Sequence, residues 1–141
     1  MDQGPIGTPE RHEYILSRMS APLLVAIVDD EERVRLALAR LLRSWGFEVV
    51  SHQTGADFLC SLQERAPDCV VLDLHMSQMD GLTVLTRMEA LCPRRKVVVI
   101  TGHDLPEVRE RVESLGVGAY LRKPVDAHSL VDALRAAAGS S

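Results

Sequence analysis

The sequence predicts an α/β fold: a five-stranded parallel sheet, doubly wound by helices in the order (βα)5. Three observations carry this prediction. Short, uninterrupted apolar runs recur along the chain. The stretches between them place apolar residues at helical spacing. The two patterns alternate from Leu23 onward. Apolar runs of this length suit strands covered on both faces, as in parallel sheets, and strict alternation with helices implies right-handed crossovers.

Leu23–Val28 (LLVAIV) predicts the first strand. Val34, Leu38, Leu41, Leu42 and Trp45 then recur at helical spacing, and Gly46 follows as the stop. Phe47–Val50 (FEVV) contains a charge and reads as a second, more exposed strand. Ala56, Leu59 and Leu62 mark a second helix, and Cys69–Leu72 (CVVL) a third strand. Leu82, Leu85, Met88 and Leu91 mark a third helix, ended by Pro93. Val97–Ile100 (VVVI) is the fourth strand; Val108, Val112 and Leu115 mark the helix after it, ended by Gly116. Ala119–Leu121 begins a weaker fifth strand, and Leu130, Leu134 and Ala137 mark the last helix. Gly4, Pro5, Gly7 and Pro9 break any early element, so residues 1–20 read as a flexible N-terminal tail. A short docked helix over Glu10–Met19 is the alternative. The domain proper is then 21–138, with 139–141 as terminal residues.

A chain of 141 residues, 46% of them hydrophobic, fits one domain that needs no staples. A formal charge of −4 gives no electrostatic footprint for nucleic acid. Cys60, Cys69 and Cys92 are an odd count without a CxxC pair, which argues against a disulfide framework or a thiolate zinc site and fits a reducing compartment. No apolar run approaches the ~20 residues of a membrane helix, and no basic region with an apolar core opens the chain. The expected setting is the cytoplasm, without membrane or direct nucleic-acid contact. A P-loop NTPase is excluded because no Gly-rich GK[ST] motif is present.

In open parallel sheets, ligands bind beyond the carboxyl ends of the strands, near the switch point in strand order. Asp29 and Asp30 follow the first strand, Asp73 ends the third, Thr101 ends the fourth, and Lys123 ends the fifth, followed by Pro124. The second strand ends without an obvious chemical group. Each residue has an ordinary reading: a helix N-cap with first-turn charge for Asp29 and Asp30, a loop start for Asp73, a turn residue for Thr101, a surface lysine for Lys123. Those readings would have to hold independently at four strand ends. Three carboxylates brought together repel, and one must protonate unless a cation neutralises them. An all-oxygen cluster selects a hard cation, and Mg²⁺ suits a few carboxylates with waters and a phosphate. Such a cation brings a phosphoryl donor to a carboxylate and shields the transition-state charge. An ammonium and a hydroxyl add contacts to phosphoryl oxygens, and an aspartate can act as nucleophile to give an acyl phosphate.

The segments VDDEERVRLALARLL, VVLDLHMSQMDGL, VVVITG and AYLRKP, in this order, resemble the receiver domain of bacterial two-component response regulators, over residues 23–138. The opening and the short TGH after the fourth strand are similar to receivers of the nitrogen-fixation regulator type. The resemblance implies a flavodoxin-like receiver fold. It implies that Asp73 accepts a phosphoryl group from the phosphohistidine of a sensor histidine kinase or histidine phosphotransfer protein. It implies that Asp29, Asp30, Asp73 and the backbone carbonyl of His75 hold Mg²⁺, or another divalent cation such as Mn²⁺. Lys123 would contact the phosphoryl oxygen, and Thr101 would move toward it and couple to an aromatic switch at Tyr120. The Lys123–Pro124 bond is expected to be cis. Phosphorylation would switch the surface of the fourth helix, fifth strand and fifth helix for a downstream protein target or a homodimer. The only catalysis implied is the chain's own phosphoryl transfer and autodephosphorylation.

Departures and loose ends remain. The family usually has proline after the Met that follows the phosphorylated Asp region; here the segment is Met76-Ser77-Gln78-Met79-Asp80-Gly81, and Ser77 lacks the locked φ. A looser loop is the expectation, with Gly81 serving the turn into the third helix. His75 and His103 lie two residues after Asp73 and Thr101 and border the site, where they would tune phosphoryl lifetime. A transition-metal site on the two imidazoles lacks a third ligand. Arg33, Arg35, Arg40 and Arg43 around the first helix, and Arg94-Arg95-Lys96, read as solvated charge; the former could also meet a kinase. A haloacid-dehalogenase-type phosphatase would need Asp-x-Asp, but His75 stands two beyond Asp73. A phosphorylation-independent pseudo-receiver normally loses an acidic residue or the lysine, and none is missing. With only helix five beyond Lys123, the chain holds no DNA-binding domain: it is a stand-alone receiver or part of a longer regulator.

Overall fold

The computed structural model describes residues 21–88 and 91–139. The elements, in order, are β1 (Leu24–Val28), α1 (Glu32–Ser44), β2 (Glu48–His52), α2 (Gly55–Ser61), β3 (Cys69–Asp73), α3 (Gly81–Met88), a 3₁₀ turn (Arg94–Lys96), β4 (Val97–Thr101), α4 (Pro106–Ser114), β5 (Ala119–Arg122) and α5 (Ala127–Ala138). All strands are parallel, in the spatial order β2-β1-β3-β4-β5. This is the doubly wound (βα)5 architecture that the alternation of runs predicts. The tail assigned to residues 1–20 lies outside the described residues.

The three central strands are buried along their whole length, which is why they read as unbroken apolar runs. Side chains alternate between two cores. Val25, Ile27, Val71 and Ile100 face Leu38 and Leu42 of α1 and Leu130 and Leu134 of α5. Val28, Leu72 and Val99 face Phe58 of α2, Leu85 and Met88 of α3, and Val112 of α4. Gly46 stops α1 with φ +93°, a left-handed conformation that costs glycine nothing.

Local differences from the sequence reading have physical causes. The second strand runs two residues further than expected and ends at His52; as an edge strand it buries only Val49. On α2 the core residue is Phe58, fully buried, whereas Ala56 is exposed and Leu59 half-buried. Thr54 sets that register by accepting a hydrogen bond from the Asp57 N–H at 3.1 Å, so the helix starts with its aromatic turned inward. Burying that ring contributes roughly 1.5–3 kcal/mol. Leu91, placed on the apolar face of the third helix, is 48% exposed beyond the end of α3. The fifth strand ends at Arg122, so Lys123 lies one residue past it.

The order of strands reverses between β1 and β3. Any site at the switch point is therefore built from the residues after β1 and at the end of β3, with β4 and β5 beside them. Among the described residues no helix is long and apolar enough to cross a membrane.

Candidate functional site

Parallel pairing brings the strand ends level. Asp73 pairs with Ile100, and Thr101 with Arg122, so the carboxyl ends of β3, β4 and β5 form one edge. Asp29, Asp30 and Asp73 each turn one carboxylate oxygen into a common space, all within 4.8 Å of one another. Among the described residues this is the one cluster of three or more His, Cys, Asp or Glu ligand atoms. His75 and His103 are not joined by a third ligand of that kind.

Backbone groups hold the carboxylates in place. Asp29 is fully buried; its Oδ1 accepts from the Glu31 N–H at 2.9 Å, and its own carbonyl accepts from the Arg35 guanidinium at 2.8 Å. Asp73 is 3% exposed and its Oδ1 accepts from the His75 N–H at 3.3 Å. Asp30 is less buried, and its Oδ2 accepts from the Ser77 N–H at 2.8 Å. Lys123 bridges the two buried acids, its Nζ 3.2 Å from Asp29 Oδ2 and 3.5 Å from Asp73 Oδ1. The lysine backbone is fixed by its N–H to the Thr101 carbonyl at 2.8 Å, and the bond to Pro124 is cis, as expected.

This arrangement is electrostatically unfinished. Three carboxylates face one ammonium, which leaves an excess of two negative charges that a divalent cation would cancel. Burial, then the Asp29 charge, push the Asp73 carboxyl up to about 6 against the pull of Lys123 and the His75 N–H. For Lys123, burial works toward a lower value, but Asp73 and Asp29 together outweigh it and hold the ammonium above its ordinary range. The donor set is all oxygen and partly open, so the residues present fit a hard cation with waters.

Gly81 sits under the cluster. A Cβ there would stand 2.8 Å from the Asp73 carbonyl oxygen and 2.8 Å from Leu74 Cα, so α3 can start this close to the site only at a glycine. That close approach, rather than a special turn conformation, accounts for the residue.

Thr101 is fully buried, but its hydroxyl does not point to Asp73. It donates to the His103 carbonyl at 3.0 Å and accepts from the His103 N–H at 3.0 Å, closed on its own loop. The His103 ring meets the His75 ring edge to face, with centroids 4.9 Å apart, so the two imidazoles stand together at the rim. Tyr120 on β5 is half-buried under the Arg109 guanidinium, 5.1 Å from its ring centroid. Its hydroxyl is buried without a hydrogen bond of standard geometry; burial, then the neighbouring Asp104 carboxylate, hold it above the usual phenol range. Asp104 itself lies 3.7 Å from both Arg109 and Arg122, which ties the β4–α4 loop to the Tyr120 strand.

All four strand ends named from the sequence thus converge on one edge. Sequence reasoning missed the backbone donors of Glu31 and Ser77 and the Arg35 contact, since residue types carry no signal for where a main-chain N–H will point.

With this geometry in view, a family profile described as the response regulator receiver domain matches residues 25–135. The chain belongs to this family. It is 36% identical over 124 residues to the transcriptional regulatory protein FixJ of Azorhizobium caulinodans, covering 87% of this chain and 58% of that protein. It is 39% identical over 114 residues to the transcriptional regulatory protein PrrA of Mycobacterium bovis, covering 79% of this chain and 48% of that protein. The receiver therefore spans about half the length of these curated relatives. Among solved structures, FixJ-N superposes with a TM-score of 0.74 at 32% identity, covering 84% of this chain and 95% of that one. A receiver domain protein from Clostridium thermocellum gives 0.76 at 27% identity, covering 82% and 94%. The receiver resembles the nitrogen-fixation type named from its motifs, and the acidic pocket is of the kind at which receivers typically hold Mg²⁺.

Proposed function

We propose that this receiver accepts a phosphoryl group on Asp73 from the phosphohistidine of a sensor histidine kinase or histidine phosphotransfer protein. The observation that carries the reading is the cluster of three carboxylates gathered around the Lys123 ammonium, with its uncancelled negative charge. Asp29, Asp30, Asp73 and the His75 carbonyl would hold Mg²⁺, or Mn²⁺ in its place. The cation supplies charge neutralisation for the phosphoryl oxygens and a template for in-line transfer.

The residues of the chain do the rest. An Asp73 carboxylate oxygen forms the bond to phosphorus as the phosphorus–nitrogen bond of the donor breaks, and the released imidazole nitrogen takes a proton from solvent. With its carboxyl at about 6, Asp73 is mostly ionised at neutral pH and so competent as nucleophile. Lys123 is placed to follow the charge from carboxylate to phosphoryl oxygen. Beside it, Arg33, Val34, Leu38, Pro124 and Val125 line a groove of about 350 Å³ that opens next to the lysine; its apolar walls and basic rim suit a helical donor protein.

Signalling then requires Thr101 to release His103 and turn its hydroxyl toward the phosphoryl group. The space it leaves admits Tyr120, and the α4–β5–α5 surface changes with it, for a protein target or for a second copy of the receiver. The same Asp73 centre hydrolyses its own acyl phosphate and acts on no other substrate. The setting consistent with this partner set is the cytoplasm. His75 and His103 would shield the phosphoryl group from water: the joint change to Ala shifts the rate of acyl phosphate loss, and an unaltered rate removes this role.

Intact mass after incubation with acetyl phosphate and Mg²⁺ tests the reading. The expected result is a gain of one phosphoryl group that vanishes when the metal is chelated. No gain from acetyl phosphate or from a phosphorylated histidine donor would overturn it.

A further inference from the structure

The β3–α3 loop is anchored at three points. Its middle is pinned to the β1–α1 turn by the Ser77 N–H, which donates to Asp30 Oδ2 at 2.8 Å. One side is packed by Met79, whose sulfur stands 3.2 Å from where a Cβ on Gly55 would lie. Its end is closed by Asp80, whose Oδ1 accepts from the Thr83 N–H at 2.9 Å. Of these anchors only the first touches the acidic cluster. A proline at position 77 could hold φ but could not donate, because it carries no N–H. Serine leaves the loop free in φ and supplies the donor, so rigidity here comes from a bond to a carboxylate of the site.

That bond has a consequence for the carboxylate. Asp29 and Asp73 are buried and each is held by a backbone donor and by Lys123. Asp30 has neither the burial nor the lysine, and the Ser77 N–H is the one hydrogen bond described for its side chain. A carboxylate with one oxygen fixed by a charge-assisted hydrogen bond offers the other in a defined direction. Loss of such an outer partner typically lowers metal affinity by about ten- to a hundredfold.

We propose that Ser77 is a positioning residue, acting through its backbone N–H, that presents Asp30 to the cation and couples cation binding to the order of the β3–α3 loop. This rests on the proposed cation site and assigns the placement of its Asp30 arm to a residue of the β3–α3 loop that is not itself a ligand. Coupling is reciprocal: if the bond favours the cation-ready Asp30, the bound cation must in turn favour the pinned loop.

Two measurements on the full chain test this. The first needs no metal. Hydrogen exchange of the Ser77 amide in chelator is slow in the parent and faster by about an order of magnitude in Asp30→Ala; equal exchange in the two proteins overturns the inference. The second is Mg²⁺ titration by calorimetry on Ser77→Ala, which keeps the N–H, and Ser77→Pro, which removes it. Ser77→Ala binds as the parent does, whereas Ser77→Pro binds about tenfold more weakly. In an Asp30→Ala background Ser77→Pro has no further effect, which separates positioning of Asp30 from general damage to the loop. Equal or tighter binding by Ser77→Pro, or an undiminished loss in the Asp30→Ala background, overturns the inference. A parent that binds no Mg²⁺ but shows the exchange difference instead removes the proposed cation site and the coupling, and leaves only the loop anchor.

Discussion

Asp73→Asn takes up no phosphoryl group from any donor, and in chelator at neutral pH it is more stable than the parent. The first half follows from the loss of the nucleophilic oxygen. The second follows from the cost of keeping Asp73 ionised. Its carboxyl lies at about 6 in the fold, above the ordinary carboxylate value, because burial and then Asp29 disfavour the charge. The folded protein therefore holds this proton more tightly than the unfolded chain. Between about pH 4 and 6 the folded state binds more protons, so this group's contribution to stability rises as pH falls through that window and is lost as pH rises. Above about 6 the full cost is present, on the order of 1–3 kcal/mol. An amide of the same shape avoids it. Thermal melts of the two proteins across this range, in chelator, should diverge above pH 6 and converge near pH 4. Saturating Mg²⁺ should shrink the gap at neutral pH, since it stabilises the ionised parent more than the amide. A gap independent of pH would contradict the account of Asp73.

Lys123→Ala has the opposite effect on the fold and a large one on transfer. Its ammonium lies within reach of both buried acids, and removal leaves the fully buried Asp29 without its cationic partner. Losing one partner of a buried pair costs about 3–5 kcal/mol; the lysine side chain is 23% exposed here, which favours the lower end. Because the ionised acids hold Lys123 above its ordinary range, its contribution is complete from the titration of Asp73, at about 6, up to the ordinary lysine value, and is lost as the pH rises through the higher folded value. Working conditions therefore show the whole loss. Mg²⁺ replaces part of the missing charge, so the deficit is larger in chelator than with the cation. Phosphoryl uptake from acetyl phosphate should slow by about 10²–10³, the usual consequence of removing one stabiliser of transition-state charge. Parent-like initial rates together with a parent-like melt would remove the lysine from the account.

The fold was legible because its central strands are covered on both faces, so LVAIV, CVVLD and VVVIT stand out without any periodic analysis. The site was legible for a related reason. A parallel sheet delivers the residue after each strand to one edge, so Asp29, Asp73, Thr101 and Lys123 could be placed together from spacing alone. What stayed hidden depends on register and on main-chain direction. Phe58 lies one helical turn before Leu62 in the same core, and a period drawn through Ala56 and Leu59 passes over it. Leu91 fits a period that the helix does not continue. The Thr101 hydroxyl looked like a donor to the site, yet it closes on His103, because a nearby backbone carbonyl and N–H satisfy it. Ser77 read as the loss of a proline; its gain, an N–H aimed at Asp30, is a property of the backbone and has no letter in the sequence.

The most direct test is to locate the phosphoryl group. The protein is incubated with acetyl phosphate and Mg²⁺, digested under acidic conditions, and mapped by tandem mass spectrometry beside a hydroxylamine-treated sample. The expected result is one hydroxylamine-sensitive modification, on Asp73, absent with chelator and absent in Asp73→Asn. A phosphoryl group on another residue, or a hydroxylamine-sensitive label that persists in Asp73→Asn, would contradict it.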